Sequence, residues 1–172
     1  VHGGHEHYQL PSPRMQETYK FFIDAGADAV VNHHQHCYSG YEIYNGKPIF
    51  YGIGNFCFDE GPNTTKKWQE GYMVELYLDD KIEFNIHPYK QYGEKATVEL
   101  LQKNAFDRKK SELNAIISNP ILVKEACDRY YSESNVSYFL EPIRNRWILA
   151  AQKRGLFPTF IIKDGFQYCQ ML

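Results

Sequence analysis

The chain has 172 residues, of which 43% are hydrophobic and 16% aromatic, so it can bury a core and is not disordered throughout. Its 19 Lys and Arg residues are nearly balanced by 21 Asp and Glu residues. This balance argues against a nucleic-acid-binding domain, which would carry a basic excess. No apolar run approaches the roughly 18–20 residues that a membrane-spanning helix needs. The four cysteines are widely spaced, and we expect free, buried thiols.

The histidines are concentrated at the start of the chain, where six of the seven lie within the first 36 residues. We therefore expect the chemistry of the chain at this end. Position 1 is Val rather than Met, and it leads directly into polar sequence, which favours a fragment whose upstream part is missing. A histidine-rich tag is an alternative interpretation of residues 2–7, although such tags are usually uninterrupted runs.

The segment after the first histidines predicts a helix followed by a buried strand. Ser12 suits an N-cap, Pro13 suits the first helical position, and Gly26 suits the end of the helix. Residues 27–31 then form a short apolar strand. This order is the outgoing half of a βαβ repeat, so we expect an upstream strand beside His2. Ligands gather beyond the carboxyl ends of such parallel strands, so both groups of histidines should face one crevice.

The rest of the chain predicts antiparallel strands followed by helices. Asn45-Gly46 is a strong type I′ turn signal and predicts a hairpin over residues 42–51. Residues 59–70 are polar and predict a surface loop. Further strands are predicted over 71–78 and 81–89, helices over 97–117, 120–131 and 136–153, and extended segments over 160–162 and 166–168.

His34 and His36 are the first candidates for metal binding. In an extended segment, residues two apart lie on one face, so both imidazoles would face the same ion. His2, at the end of the neighbouring predicted strand, would complete a group of three. His33 should point to the opposite face, where it would be exposed to solvent or support a ligand.

Other polar residues near these histidines have open roles. His5 and His7 either contact substrate or are ordinary surface residues. Glu6 is a ligand, an acceptor that orients an imidazole, or an exposed side chain. Asn55 either caps a turn, which is the favoured interpretation, or reaches the site through its amide. His87, within a predicted strand, is expected to be structural.

Two common kinds of catalytic motif are absent from the sequence. There is no GxSxG nucleophile motif, and the GxG at residues 52–54 is not followed by a helix that would bind phosphate. The aromatic runs at residues 50–51 and 56–58 are expected to belong to the core.

Three ordered motifs resemble the C-terminal half of the CapA family. They are HGGHE with LPSP at residues 2–13, DAGADAVVNHHQH at residues 24–36 and YNGKPIFYGIGNF at residues 44–56. The family comprises bacterial capsule and poly-γ-glutamate synthesis proteins with a calcineurin-like metallophosphoesterase fold. The resemblance covers about residues 1–60. It implies an α/β (α+β) fold, in which residues 1–92 form the C-terminal part of an αββα sandwich and residues 93–172 form a mainly helical extension.

The resemblance also implies a set of site residues. The metal ligands would be His2, His34 and His36, and the residues that line or orient the site would be His5, Glu6 and Asn55; the catalytic residues stay unknown. The chain departs from the family pattern at three positions, with Gly3 in place of Trp, Asn32 in place of Gly and Gln35 in place of Pro. The implied cofactors are divalent ions (Zn, Mn or Fe), two in a full-length protein.

The implied activity is that of a metal-dependent hydrolase, in which a metal-activated hydroxide attacks a phosphoester or acyl-phosphate bond. A two-metal site needs a bridging carboxylate that these motifs do not contain, so we expect the chain to need the missing N-terminal half of the domain. Two alternatives are a non-catalytic domain that assembles or binds an anionic surface polymer, and a structural single-metal protein. Association with the cell envelope is implied by the resemblance alone.

Overall fold

The computed structural model describes residues 1–58, 65–79, 81–92, 97–140, 159–163 and 166–170. It divides into two compact units, residues 1–123 and 124–172. Helices occur together with small mixed and antiparallel sheets, which confirms the α+β class. The division into domains at residues 92 and 93 stays a prediction.

The described elements are four helices and eight strands. The helices are α1 (Pro13–Asp24), α2 (Lys66–Gln69), α3 (Lys103–Ile117) and α4 (Pro120–Leu140). The strands are β1 (Val30–Val31), β2 (Tyr41–Tyr44), β3 (Lys47–Phe50), β4 (Glu70–Leu78), β5 (Ile82–Tyr92), β6 (Thr97–Leu100), β7 (Thr159–Lys163) and β8 (Phe166–Gln170). None of the helices in the described part of the chain has both the length and the apolar character of a membrane span.

Helix α1 begins and ends where the sequence predicted. The Ser12 hydroxyl accepts a hydrogen bond from Met15 N at 3.2 Å, and Pro13 occupies the first turn. Gly26 follows the helix with a φ of 111°, a left-handed conformation that glycine adopts at little cost. The buried face of α1 packs on the first sheet in a cluster that comprises Met15, Tyr19, Ile23, Val30, Ile49, Tyr51 and Ile117.

The first sheet has the order β1-β3-β2 and brings the chain's N-terminal motifs together. β1 pairs with β3 in parallel, and β2 pairs with β3 as the predicted hairpin. Asn45 and Gly46 have φ angles of 50° and 76°, and positive φ at both central positions is the type I′ geometry. The first residues of the chain run parallel to β1 on its other side, which confirms that the chain crosses over through α1 between neighbouring extended segments.

The second sheet has the order β4-β5-β6 and is antiparallel throughout. The predicted helix over residues 97–117 is wrong at its start, because residues 97–100 form β6 and the helix begins at Lys103. β5 is 11 residues long and offers backbone partners to β6, in a register that pairs Tyr89 with Leu100. Helical periodicity in this stretch is thus overridden by available strand pairing.

Helix α3 is tied to the first sheet by polar side chains. Asn114 Oδ1 accepts a hydrogen bond from Tyr41 N at 2.8 Å, and Gln16 Nε2 of α1 donates to Ile117 O at 2.9 Å. Gly40 lies directly beneath α3, where a Cβ atom would overlap Asn114. These contacts secure α3 against the sheet and against α1.

The C-terminal part contains one difference from the sequence prediction and one agreement. α4 continues through residues 132–135, where we expected two helices to be separated. Residues 141–153 of the third predicted helix lie outside the described residues. The two predicted extended segments at the end of the chain are confirmed as the hairpin β7-β8.

Candidate functional site

The first three residues run alongside β1 as a further extended segment. Val1 N donates to Val31 O at 2.8 Å, His33 N donates to Val1 O at 3.0 Å, and Gly3 N donates to His33 O at 3.1 Å. His2 and His33 form the parallel bridge between the two segments. His2 therefore lies beside the carboxyl end of β1, as the predicted topology requires.

The buried side chain of Asn32 holds the N-terminal segment beside β1 through hydrogen bonds. The side chain is fully buried, and its Nδ2 atom donates to Gly3 O at 2.9 Å and to Tyr51 O at 2.8 Å. Its Oδ1 atom accepts from the Tyr19 hydroxyl at 2.7 Å. Burial raises the pKa of Tyr19 to about 12, so this hydroxyl stays protonated and able to donate. Asn32 thus joins the N-terminal segment, the end of β3 and α1.

The turn formed by residues 33–36 differs from the extended segment that the sequence predicted. His34 and His36 have φ angles of 97° and 54°, in the left-handed region that non-glycine residues seldom adopt. Between them, Gln35 turns inward until it is 1% exposed and packs against Gly52, while its backbone oxygen accepts from His7 N at 2.8 Å. Because residues 33–36 form a turn around the buried Gln35, their side chains do not alternate as they would in a strand. The expectation that His34 and His36 share one face of an extended segment therefore does not apply.

Four imidazoles nevertheless form a row across this turn, which we call the imidazole row: His2, His34, His36 and His7. The ring centres of His2 and His34 are 4.7 Å apart, and His2 Nε2 lies 3.1 Å from His34 Nδ1. The ring centre of His36 lies 6.3 Å from that of His34 and 6.4 Å from that of His7. The structure thus brings together histidines from both N-terminal motifs.

Two aromatic rings and one amide contact the imidazole of His36. Trp68 stacks on it with ring centres 4.9 Å apart, and Phe58 approaches edge-on, also at 4.9 Å. Asn55 Oδ1 lies 2.8 Å from His36 Nδ1. Of the two roles considered for Asn55, the amide therefore reaches the imidazole row.

The remaining candidates lie at the periphery. His5 is half-buried, and its pKa is lowered by that burial and then by the nearby charge of His34. Glu6 and His33 are both exposed. His87 is remote from the row on β5, where its Nε2 atom pairs with Glu75 at 3.0 Å. A role for His5 or Glu6 in binding stays a prediction.

A cleft of about 550 Å³ opens beside the imidazole row. It is lined by His2, His33, His34, Gln35, His36, Cys37, Gly52, Ile53, Gly54, Asn55, Phe56, Cys57, Phe58, Tyr72, Met73 and Tyr89. The prediction that residues 56–58 belong to the core is wrong, since all three are exposed along this cleft. Residues 50–51, by contrast, are completely buried.

The cysteines follow the same division between core and cleft. Cys37 is a free thiol, as expected, and its burial raises its pKa to about 12. Cys127 is also free and buried. Cys57 is free but exposed, so the prediction of burial is wrong at this position. A low-dielectric environment therefore keeps Cys37 protonated and unreactive, although it lies next to the histidines.

The imidazole row fits a metal ion only in part. The 3.1 Å contact between His2 Nε2 and His34 Nδ1 is a hydrogen bond between the two imidazoles, and this separation is also short enough for both nitrogens to lie about 2.1 Å from one cation that replaces the shared proton. His36 is farther away, and its Nδ1 atom faces Asn55. Among the described residues, no group of three or more His, Cys, Asp or Glu side chains is arranged to hold a metal. The pair His2 and His34 therefore fits, whereas the expected group of three does not converge without further donors.

Three contributors to the site were missed by sequence reasoning. Trp68 lies in the stretch that we expected to be a surface loop, and its α2 segment is held by Gln91, whose Nε2 atom donates to Trp68 O at 3.2 Å. Gln91 Oε1 also accepts from Phe58 N at 2.7 Å. The sequence signal that could have indicated α2 was Trp68, a single tryptophan within the otherwise polar residues 59–70. For Gln35, the third contributor, the signal was its departure from the family pattern.

A comparison with known families identifies this region. The family described as "Bacterial capsule synthesis protein PGA_cap" matches residues 1–60, which contain the entire imidazole row and Asn55. Residues 1–60 are similar to this family, and we call them the PGA_cap segment. This PGA_cap segment includes α1 and the complete first sheet, so the match and the site coincide.

Individual relatives extend the similarity slightly beyond the PGA_cap segment. The chain is 40% identical over 80 residues to "Capsule biosynthesis protein CapA" of Bacillus anthracis, an alignment that covers 46% of this chain and 19% of the relative. It is 43% identical over 77 residues to "PGA biosynthesis protein CapA" of Bacillus subtilis strain 168, covering 45% of this chain and 20% of the relative. The chain thus spans about a fifth of the length of these relatives.

Proposed function

We propose that this chain is part of a CapA-type protein of capsule or poly-γ-glutamate biosynthesis, and that its imidazole row contributes to a metal-dependent hydrolase centre. The observation that carries the proposal is the 3.1 Å approach of His2 Nε2 to His34 Nδ1 within the PGA_cap segment. Both relatives at 40–43% identity carry names from capsule or PGA biosynthesis. These names also support a location at the cell envelope.

His2 and His34 are the residues of this chain that would hold a divalent ion (Zn, Mn or Fe). A bound divalent ion supplies Lewis acidity and lowers the pKa of a coordinated water to about 7. His36, at the far side of His34, adds a third imidazole once additional donors shape the centre. We propose that those donors include carboxylates from outside the described residues, as a two-metal phosphoesterase site requires.

The cleft beside the row gives this centre a place for substrate. Its walls combine the imidazoles with the exposed aromatic rings of Phe56 and Phe58. A phosphoester or acyl-phosphate group would lie at the imidazoles, and the attached chain would lie against the rings. Burial lowers the pKa of His5 and so favours its neutral imidazole, and the charge of His34 acts in the same direction.

The test compares metal content and phosphodiesterase turnover in the complete gene product and in this chain. We expect the complete gene product to contain close to two ions per chain and to hydrolyse bis-p-nitrophenyl phosphate. His34→Ala should remove bound ion and turnover together. His87→Ala is the matched control, because that imidazole pairs with Glu75 on a different sheet. If His34→Ala leaves the ion content unchanged, the ligand assignment is wrong.

A second candidate function is a non-catalytic domain that binds or assembles an anionic surface polymer. It is favoured by one observation, namely that the described residues contain no convergent group of three metal donors. In that case the complete gene product would be free of metal and inactive toward the phosphodiester, yet would bind polyglutamate in a sedimentation assay. That combination of results would replace the hydrolase proposal.

A further inference from the structure

The amide of Asn55 has only one chemically reasonable orientation. Its Nδ2 atom lies 3.3 Å from His36 O and 3.1 Å from Trp68 O, and the residue is 4% exposed. Rotating the amide by half a turn would place its oxygen against two carbonyl oxygens in a buried environment. Because that exchange loses two hydrogen bonds and adds repulsion, Nδ2 must face the carbonyls. Oδ1 must therefore face the imidazole.

This orientation determines which nitrogen of His36 carries the proton. An amide oxygen only accepts hydrogen bonds, so the 2.8 Å contact with Oδ1 requires a proton on Nδ1 of His36. In a neutral imidazole the other nitrogen, Nε2, then has the free lone pair. No described residue is hydrogen-bonded to that Nε2 atom. The lone pair is therefore available to whatever enters the cleft.

We infer that Asn55 is the positioning residue of His36: it selects the Nδ1–H tautomer and presents the Nε2 lone pair to the cleft. The same amide also holds the backbone oxygen of His36, which helps to maintain the unusual φ of 54°. Trp68 is held by this amide through its own backbone oxygen, and its ring stacks on His36. A single side chain thus sets the proton position, the backbone and the stacking partner of one imidazole.

The inference concerns the proposed site. It rests on the proposed function in one respect only, namely whether the Nε2 lone pair of His36 binds an ion or accepts a proton. The tautomer itself needs neither ion nor substrate. An orienting partner of this kind commonly changes metal affinity by roughly 10–100-fold when it is lost. The two parts can therefore be tested separately.

The tautomer is measured on the protein labelled with ¹⁵N-histidine, by long-range ¹H–¹⁵N correlation at about pH 8.5 without metal, where an ordinary imidazole is neutral. We expect a pyrrole-type Nδ1 and a pyridine-type Nε2 for His36. Asn55→Leu removes the acceptor that faces Nδ1 of His36 and should shift the signals toward the other tautomer. Asn85→Ala on β5 is the control and should leave the His36 signals unchanged. An Nε2–H tautomer in the wild-type protein would overturn the inference, even if Asn55→Leu fails to fold.

Titration with Co²⁺ tests what the lone pair does. Loss of roughly 10–100-fold in affinity in Asn55→Leu, but not in Asn85→Ala, would support a role of Asn55 in presenting a ligand. The predicted tautomer together with no Co²⁺ binding by the complete gene product would keep the positioning role and reject the metal proposal. The opposite tautomer together with tight binding would reject the positioning role and keep the metal.

Discussion

At the scale of single residues, the site depends on buried side-chain amides whose donors and acceptors are all used in hydrogen bonds. Asn32 uses its amide hydrogens on two backbone oxygens and its acceptor on Tyr19. Since the side chain is fully buried, an imperfect replacement leaves polar groups without partners in a low-dielectric environment. This is the position at which the chain departs from the glycine of the family pattern, so the amide is a feature of this sequence.

We predict that Asn32→Asp destabilises the protein far more than Tyr19→Phe does. The substitution turns a donor into a carboxylate oxygen that faces the carbonyls of Gly3 and Tyr51, and an unpaired buried charge costs about 3–5 kcal/mol. Tyr19→Phe removes a single hydrogen bond and should cost about 1–2 kcal/mol. Urea unfolding measures both. Equal losses would contradict the assigned hydrogen bonds.

At the scale of elements, the turn of residues 33–36 is packed against the end of β3. The amide of Gln35 is buried with both polar atoms unpartnered among the described residues, and it lies where a Cβ atom on Gly52 would overlap it. Burying unpartnered polar atoms costs free energy of folding. The same turn places the two flanking histidines, His34 and His36, at the cleft. The turn and the strand end are therefore expected to be energetically coupled.

We predict that Gly52→Ala destabilises the fold by about 1–3 kcal/mol, as overpacking of a core does. Gln35→Ala should remove much of this penalty, because the next atom that the new Cβ would meet is Cys37 O at 3.3 Å. A double-mutant cycle by urea unfolding should give a coupling of at least about 0.5 kcal/mol.

Gly46→Ala is the control for this cycle. Gly46 has a φ of 76°, and no atom lies within 4 Å of the position that a Cβ would take, so its substitution costs backbone strain alone. It should be additive with Gln35→Ala within about 0.3–0.5 kcal/mol. Additivity of Gly52→Ala and Gln35→Ala would show that the two positions do not share the same space.

At the scale of the whole molecule, the imidazole row and both described hydrophobic clusters lie within residues 1–123. The contacts that hold the site come from α1, α2, the first two sheets and the turns between them. α4 begins in this unit and buries Val123. The site should therefore not depend on residues beyond α4.

We predict that a chain ending at Leu140 retains the site. Backbone and imidazole NMR signals of His2, His34 and His36 should superimpose on those of the 172-residue chain, because the described contacts of these side chains lie within the first unit. The comparison uses ¹H–¹⁵N spectra of the two chains under identical conditions. Displaced histidine signals in a chain that is still folded would show that the C-terminal part acts on the site.

Much of the local structure was determined by the sequence alone, because it depends on contacts between near neighbours. Ser12 and Pro13 start α1, Gly26 ends it, and Asn45-Gly46 defines the hairpin. The placement of His2 near His34 also followed, since the right-handed crossover of a βαβ unit puts successive strand ends side by side. Those rules need no knowledge of distant side chains.

Other features were decided only by the tertiary structure. The turn at residues 33–36 is not extended, because Gln35 is drawn into the core and Asn55 holds His36 from 19 positions away. β6 replaces the start of a predicted helix, because β5 supplies backbone partners. Which imidazole nitrogen faces the cleft likewise depends on an amide and two carbonyls that meet only in the folded chain. Local patterns thus determined α1 and the first hairpin, whereas pairing with β5 determined β6, and long-range packing and hydrogen bonding determined the geometry of the site.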